Sequence, residues 1–143
     1  IMNAPKKIVL VEDNLADVKL TKMAFSNLSV DTEIIHFFNG QELLDYLANA
    51  PLNEISLILL DLNMPKLGGI EVLRVFNTNS DFKKLPVVIF TSSVHQSEVR
   101  TCYELGAKAY VNKPLDIADF DETIRAIAHF WLHTNILVEF SEV

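Results

Sequence analysis

Cysteine is almost absent. Cys102 is the one thiol in 143 residues, so no disulfide can close within the chain and packing alone must hold the fold. Basic residues are outnumbered, 12 against 19 acids, and the formal net charge is −7. No stretch clusters Lys and Arg, which argues against nucleic acid as a direct partner, because neutralising phosphates needs such clusters. Long apolar runs are missing as well. None approaches the roughly 18 residues that a membrane helix requires, and the first residues carry no charged, apolar and small-residue signal pattern. There is no internal repeat and no low-complexity linker. Ile1 stands before Met2 and reads as a remnant outside the fold. With half its residues apolar, a chain of this length can bury one core, and the expectation is a single soluble, cytoplasmic domain.

What is present is an alternation. Lys7 to Val11 (KIVLV) is a short apolar run rich in β-branched residues. Asn14 can cap a helix over about 15–28, with Ala16, Leu20, Met23 and Ala24 as its buried stripe. Glu33 to Phe38 (EIIHFF) reads as a second strand. Asn39-Gly40 could make a hairpin, but Leu43, Leu44 and Leu47 follow at helical spacing, so Asn39 is expected to cap a second helix. Ser56 to Leu60 (SLILL) is a third strand, followed by a helix over 69–77 with Ile70, Leu73 and Phe76 inward. Pro86 to Phe90 (PVVIF) is a fourth strand. A helix over 97–105 ends at Gly106, where a left-handed residue is wanted. Ala107 to Val111 (AKAYV) is a fifth, shorter strand. Asp116 can cap a last helix striped by Ile117, Phe120, Ile124, Ile127 and Trp131. Central strands that are continuously apolar are covered on both faces, so the fold class is α/β, a doubly wound parallel sheet that binds ligands at the carboxyl ends of its strands.

The residues at those ends carry the chemistry. The first strand ends in Glu12-Asp13, the third in Asp61, the fourth in Thr91-Ser92 and the fifth in Asn112-Lys113-Pro114. In a parallel sheet these ends share one edge. Carboxylates gathered there repel one another by about 4 kcal/mol per pair at 4 Å and an effective dielectric of 20. A proton or a cation must relieve them, and a hard divalent ion such as Mg²⁺ suits an all-oxygen donor set. Asp61, centrally placed, can act as a nucleophile and form an aspartyl phosphate. Lys113 supplies a fixed positive charge, and Thr91 a hydroxyl for a phosphoryl oxygen.

The motifs VEDN at 11–14, DLNMP at 61–65, TSS at 91–93 and NKP at 112–114 resemble the receiver domain of bacterial two-component response regulators. The likeness runs from about Lys7 to Trp131. Each motif alone is modest, but four in order at strand ends are specific. The resemblance implies a flavodoxin-like fold with strand order 2-1-3-4-5, the whole of 1–143 forming one receiver domain with 132–143 as an extension. It implies Asp61 as phosphoacceptor, and Mg²⁺ bound by Glu12, Asp13, Asp61 and the backbone carbonyl of Asn63. It further implies that Lys113 contacts the phosphoryl group with a cis bond to Pro114, and that Thr91 and Tyr110 are switch residues. A sensor histidine kinase or phosphotransfer protein is the implied donor. VEDNLADVKLTKMAF and the ending FWL, with no effector domain, resemble the small stand-alone regulators paired with bacterial phytochromes, which dimerise through their C-terminal region.

Two departures stand out: Glu12 where many members have Asp, which leaves the charge unchanged, and Gly68-Gly69 in place of a frequent Asp-Gly, with any effect expected on the loop. Competing readings remain open. A phosphatase with an aspartyl nucleophile wants an acid two residues on, where Asn63 stands. A flavin module wants a Gly- and hydroxyl-rich phosphate loop, where EDNLAD stands. A degenerate receiver that binds partners without phosphate is a further alternative. Tyr110 reads equally as plain edge-strand packing, and Asn63 either as a side chain that influences hydrolysis of the phosphate or as a plain turn residue. His129 and His133 have helical spacing without companion ligands and read as a surface pair, while His36 and His95 are scattered. Cys102 reads as a packing residue. The apolar tail 130–140 is either packed back on its own domain or part of a subunit interface.

Overall fold

A computed structural model describes residues 4–140. Ile1 lies outside them, as does the end of the 132–143 extension. Five strands, β1 (Lys6–Val11), β2 (Thr32–Phe37), β3 (Ile55–Leu60), β4 (Val87–Thr91) and β5 (Ala109–Asn112), form one sheet in the order β2-β1-β3-β4-β5. Every pairing is parallel. The connecting helices are α1 (Leu15–Ser26), α2 (Gly40–Leu47), α3 (Gly69–Asn77), α4 (Gln96–Glu104) and α5 (Ile117–His129). This is the doubly wound sheet that the alternation of strands and helices implies, with the flavodoxin-like strand order that the family resemblance implies. No helix among the described residues is long and apolar enough to cross a membrane.

Alternate residues of each apolar strand go to opposite faces. Val9, Ile58, Leu60 and Ile89 pack with Leu43, Leu73, Phe76 and Cys102 under α2, α3 and α4. Ile8, Leu57, Leu59 and Phe90 pack with Phe25, Phe120 and Ile124 under α1 and α5. Burial of both faces is what makes the central strands read as unbroken apolar runs.

The expected caps are all in place. Asn14 accepts from the Asp17 N–H at 3.0 Å, Asn39 from the Glu42 N–H at 2.9 Å and Asp116 from the Asp119 N–H at 3.1 Å. Gly106 has φ +102°, so the left-handed stop of α4 is real. Boundaries differ by a residue or two. Pro86 has no N–H for the ladder and stays outside β4, lending only its carbonyl to the Ile58 N–H at 2.9 Å.

Three expectations fail. The buried face of α1 is Val18, Thr21, Ala24 and Phe25, while Ala16 and Met23 are exposed. Apolar residues lie on every side of this helix, so periodicity alone cannot select the face. Ile117 is exposed at the first turn of α5, where the chain enters from the edge of the sheet before reaching the core. The Lys113–Pro114 bond is trans, and no cis bond occurs among the described residues. The two isomers of an X–Pro bond differ by under about 1 kcal/mol, too little for sequence to decide.

After α5 the chain makes a π-helical turn at Phe130–Thr134 and then runs extended past the amino ends of the strands, with Leu137 and Phe140 near Ile55 and Pro86. Ile136 there is 92% exposed, so the tail is not wholly packed back on its own domain.

Candidate functional site: an acidic pocket at the carboxyl edge of the sheet

Parallel pairing delivers the chemistry-bearing residues to one edge, and the last ladder rungs fix their heights. The Asp61 N–H donates to the Val11 carbonyl at 3.1 Å, the Glu12 N–H to the Phe37 carbonyl at 2.9 Å and the Lys113 N–H to the Thr91 carbonyl at 2.8 Å. Glu12, Asp61, Thr91 and Lys113 are all buried, and Asp13 is exposed at the rim. Carboxylate oxygens of Glu12, Asp13 and Asp61 lie within 4.8 Å of one another, close enough to share a cation.

Lys113 joins the cluster. Its Nζ lies 2.5 Å from Glu12 Oε1, 2.9 Å from Asp17 Oδ2 and 3.6 Å from Asp61 Oδ2. The other oxygen of each carboxylate is held by backbone: Asp61 Oδ1 accepts from the Leu62 N–H at 2.8 Å and Glu12 Oε2 from the Asn14 N–H at 3.2 Å. One ammonium thus serves three acids. Burial, and then the charge of Asp61, push the Glu12 carboxyl up to about 7, although Lys113 and the Asn14 N–H oppose them. Burial pulls Lys113 down, but the hydrogen bond and charge of Glu12, the charge of Asp61 and the bond to Asp17 outweigh it and hold the lysine above its ordinary value. Near neutrality the pocket is an ammonium among acids that one proton only partly relieves.

The chemistry of this donor set fits a hard divalent cation: three carboxylates from two strand ends, one of them open to solvent. Asn63 sits two residues beyond Asp61 with its side chain exposed. Thr91 is fully buried, and its Oγ1 lies 3.4 Å from the Ser93 N–H. Tyr110 is half-buried against the α2–α4 face of the core, and its hydroxyl donates to the Ser93 carbonyl at 2.6 Å. Burial first, then the neighbouring Cys102 and Glu98, raise the Tyr110 phenol above its usual value. The hydroxyl of Ser93 in turn bonds Glu98. The residues at the ends of β4 and β5 therefore form one connected unit beside Asp61.

The loop after Asp61 is tightly wound. Lys66 (φ 51°) and Leu67 (φ 83°) are both left-handed, a costly conformation for residues with a Cβ. A Cβ at Gly69 would lie 2.5 Å from the Asp61 carbonyl oxygen, and one at Gly68 2.7 Å from that of Leu62. These two glycines let the start of α3 press against the backbone that carries the central acid.

Two participants escape sequence reasoning. Asp17 follows the acid pair inside a helical pattern; the signal was available, since the Asn14 cap turns that first turn back toward the edge. His36 looked scattered, yet its Nε2 lies 2.7 Å from the Glu12 carbonyl oxygen. Cys102 is a buried packing residue, and burial raises its thiol to about 11. His129 and His133 are exposed, as read.

A doubly wound sheet with an aspartate, an acid pair, a hydroxyl and a lysine at its carboxyl edge defines a receiver-type signalling domain. Comparison with known proteins agrees. The model of the response regulator receiver domain matches residues 8–125. Response regulator Rcp1 of Synechocystis sp. is 38% identical over 139 residues, covering 94% of this chain and 95% of that protein. The phosphorylated cyanobacterial phytochrome response regulator RcpA superposes with a TM-score of 0.87 at 36% identity, covering 94% of this chain and 99% of that one. The Mn²⁺-bound form of Rcp1 gives 0.86 at 36% identity with the same coverage. The chain belongs to the response regulator receiver family and is related to stand-alone phytochrome response regulators.

In metal-free protein, Asp61→Asn removes one cause that raises Glu12, and its titration midpoint falls from about 7. Lys113→Met removes the main opposing cause, and the midpoint rises. Carbon-13 shifts of the Glu12 carboxyl read both. Movement of either midpoint in the opposite direction would contradict the charge map.

Proposed function

We propose that this is a stand-alone receiver that takes a phosphoryl group from a sensor histidine kinase, of phytochrome type, or from a phosphotransfer protein, onto Asp61. The convergence of a buried aspartate, two further acids and a lysine within one pocket carries this reading. An Asp61 oxygen attacks the phosphorus of a phosphohistidine. The P–O bond forms as the P–N bond breaks, and the donor imidazole leaves with the electron pair and takes up a proton. The product is a mixed carboxylic–phosphoric anhydride, which water returns to carboxylate and inorganic phosphate. In this sense the domain assists its own phosphorylation and dephosphorylation and has no separate substrate.

Glu12, Asp13, Asp61 and the Asn63 carbonyl would hold Mg²⁺, which when bound neutralises charge on the phosphoryl oxygens. Lys113 needs only a small shift from Glu12 and Asp17 to meet a phosphoryl group on Asp61. Thr91 turns its hydroxyl to a phosphoryl oxygen. Because the Lys113 N–H is bonded to the Thr91 carbonyl and Tyr110 to the Ser93 carbonyl, this movement changes the surface of α4, β5 and α5. The output is a protein contact or onward phosphotransfer in the cytoplasm. We take 1–143 as one receiver domain with 132–143 as its extension. Phe130, Ile136 and Val138, all exposed, favour a homodimer through that region.

Intact mass after treatment with acetyl phosphate and Mg²⁺ increases by one phosphoryl group, and the gain is lost in Asp61→Asn and in EDTA. Folded protein that gains nothing from acetyl phosphate or from a phosphorylated histidine kinase would leave a receiver-shaped binding module. Divalent affinity follows from the Glu12 shift. A raised carboxyl keeps its proton up to about 7, and the cation must displace it. Affinity therefore rises by about tenfold per pH unit below that value and levels off above it. A flat calorimetric profile across this range would argue against Glu12 as a ligand. Light scattering gives twice the monomer mass for the native chain and the monomer mass for Ile136→Asp; a monomer in both cases would remove the dimer.

A further inference from the structure

We propose that His36 is a positioning residue for the acid pair, acting through the backbone of Glu12. The inference rests on the reading of Glu12 and Asp13 as cation ligands. The observation is the 2.7 Å contact between His36 Nε2 and the Glu12 carbonyl oxygen. A carbonyl can only accept, so the shared proton belongs to Nε2.

The position in the ladder explains why a side chain is needed. β1 and β2 are paired up to Val11 and Phe37, and the Glu12 N–H still donates to the Phe37 carbonyl. The next parallel rung would bring the Asn39 N–H to the Glu12 carbonyl. At Asn39 the chain instead turns into α2, with its side chain capping that helix and the Phe38 N–H taken by Glu42. His36 fills the missing rung from below. Its ring is half-buried and braced edge-on by Phe38, with centroids 4.4 Å apart.

The consequence reaches Asp13. The Glu12 carbonyl and the Asp13 N–H belong to one rigid peptide plane. Glu12 is already pinned at its N–H and at both carboxylate oxygens. Asp13 is exposed, so the orientation of that plane is what aims it at Asp61 and Glu12. Partners bonded directly to metal-ligating side chains typically change affinity by about 10–100-fold when removed, and His36 acts one step further back, through the main chain of the two ligand residues, so its effect belongs at the lower end of that range.

The test is Mn²⁺ affinity, read by the electron paramagnetic resonance of free ion, for native protein, His36→Phe and His36→Gln. The phenyl ring keeps the packing and loses the donor; the Gln amide restores a donor at similar reach. The expected result is affinity weaker by about tenfold or more in His36→Phe, largely restored in His36→Gln, at matched folded fraction in EDTA. His36→Phe within threefold of native affinity would overturn the proposal, as would loss in both variants alike. Native protein that binds no Mn²⁺ would overturn the cation reading itself and this inference with it. Nitrogen-15 spectra of the native ring in alkaline solution give a check free of variants: the Nε2–H tautomer supports the proposal, and the Nδ1–H tautomer overturns it.

Discussion

One ammonium group placed among three carboxylates is the constraint on which the rest of this structure depends. Lys113 touches Glu12 and Asp17 and stands next to Asp61. Burial and the charge of Asp61 push the Glu12 carboxyl up to about 7 even with the lysine present. The pocket is therefore set against its own ground state. It accepts a cation readily, and it favours any event that gives Lys113 a stronger partner. Removing one member of such a buried group leaves the others uncompensated, which costs more than the group contributes when intact.

The scaffold's task is to bring the charges together and keep them there. Parallel pairing sends four strand ends to one edge, and the backbone rungs from Val11 to Asp61 and from Thr91 to Lys113 lock neighbouring functional residues at matched heights. The entropy of ordering these groups is met far from the site, by Ile58, Leu59 and Ile89 and the two helical layers that cover them. Gly69 lets α3 approach the Asp61 carbonyl where any larger residue would collide. The strained turn at Lys66 and Leu67 lies beside this approach, where local strain often accompanies function.

Much of this was legible in the sequence because it depends on position along a strand. SLILL followed by Asp61 and PVVIF followed by Thr91 state both burial and the edge, and Asn14, Asn39 and Asp116 announce the helices that follow. The parts that were not legible depend on rotation or on a single long-range contact. Apolar residues surround α1, so spacing alone does not select its buried face. Ile117 shares the spacing of the α5 stripe yet sits in a first turn that has not reached the core. Asp17 and His36 matter through partners 96 and 24 residues away; the Asn14 cap is the one local hint for Asp17, and nothing local marks His36. The isomer at Pro114 came from family likeness and not from any physical property of the chain.

The most direct test is a crystal structure of the chain with Mg²⁺ and trifluoroberyllate, a tetrahedral stand-in for a phosphoryl group. The expected result is beryllium bonded to an Asp61 oxygen, with Lys113 Nζ and Thr91 Oγ1 against its fluorides and the short Lys113–Glu12 contact of 2.5 Å opened. A fluoride complex bound elsewhere, or an Asp61 complex with Lys113 still closed on Glu12, would contradict it.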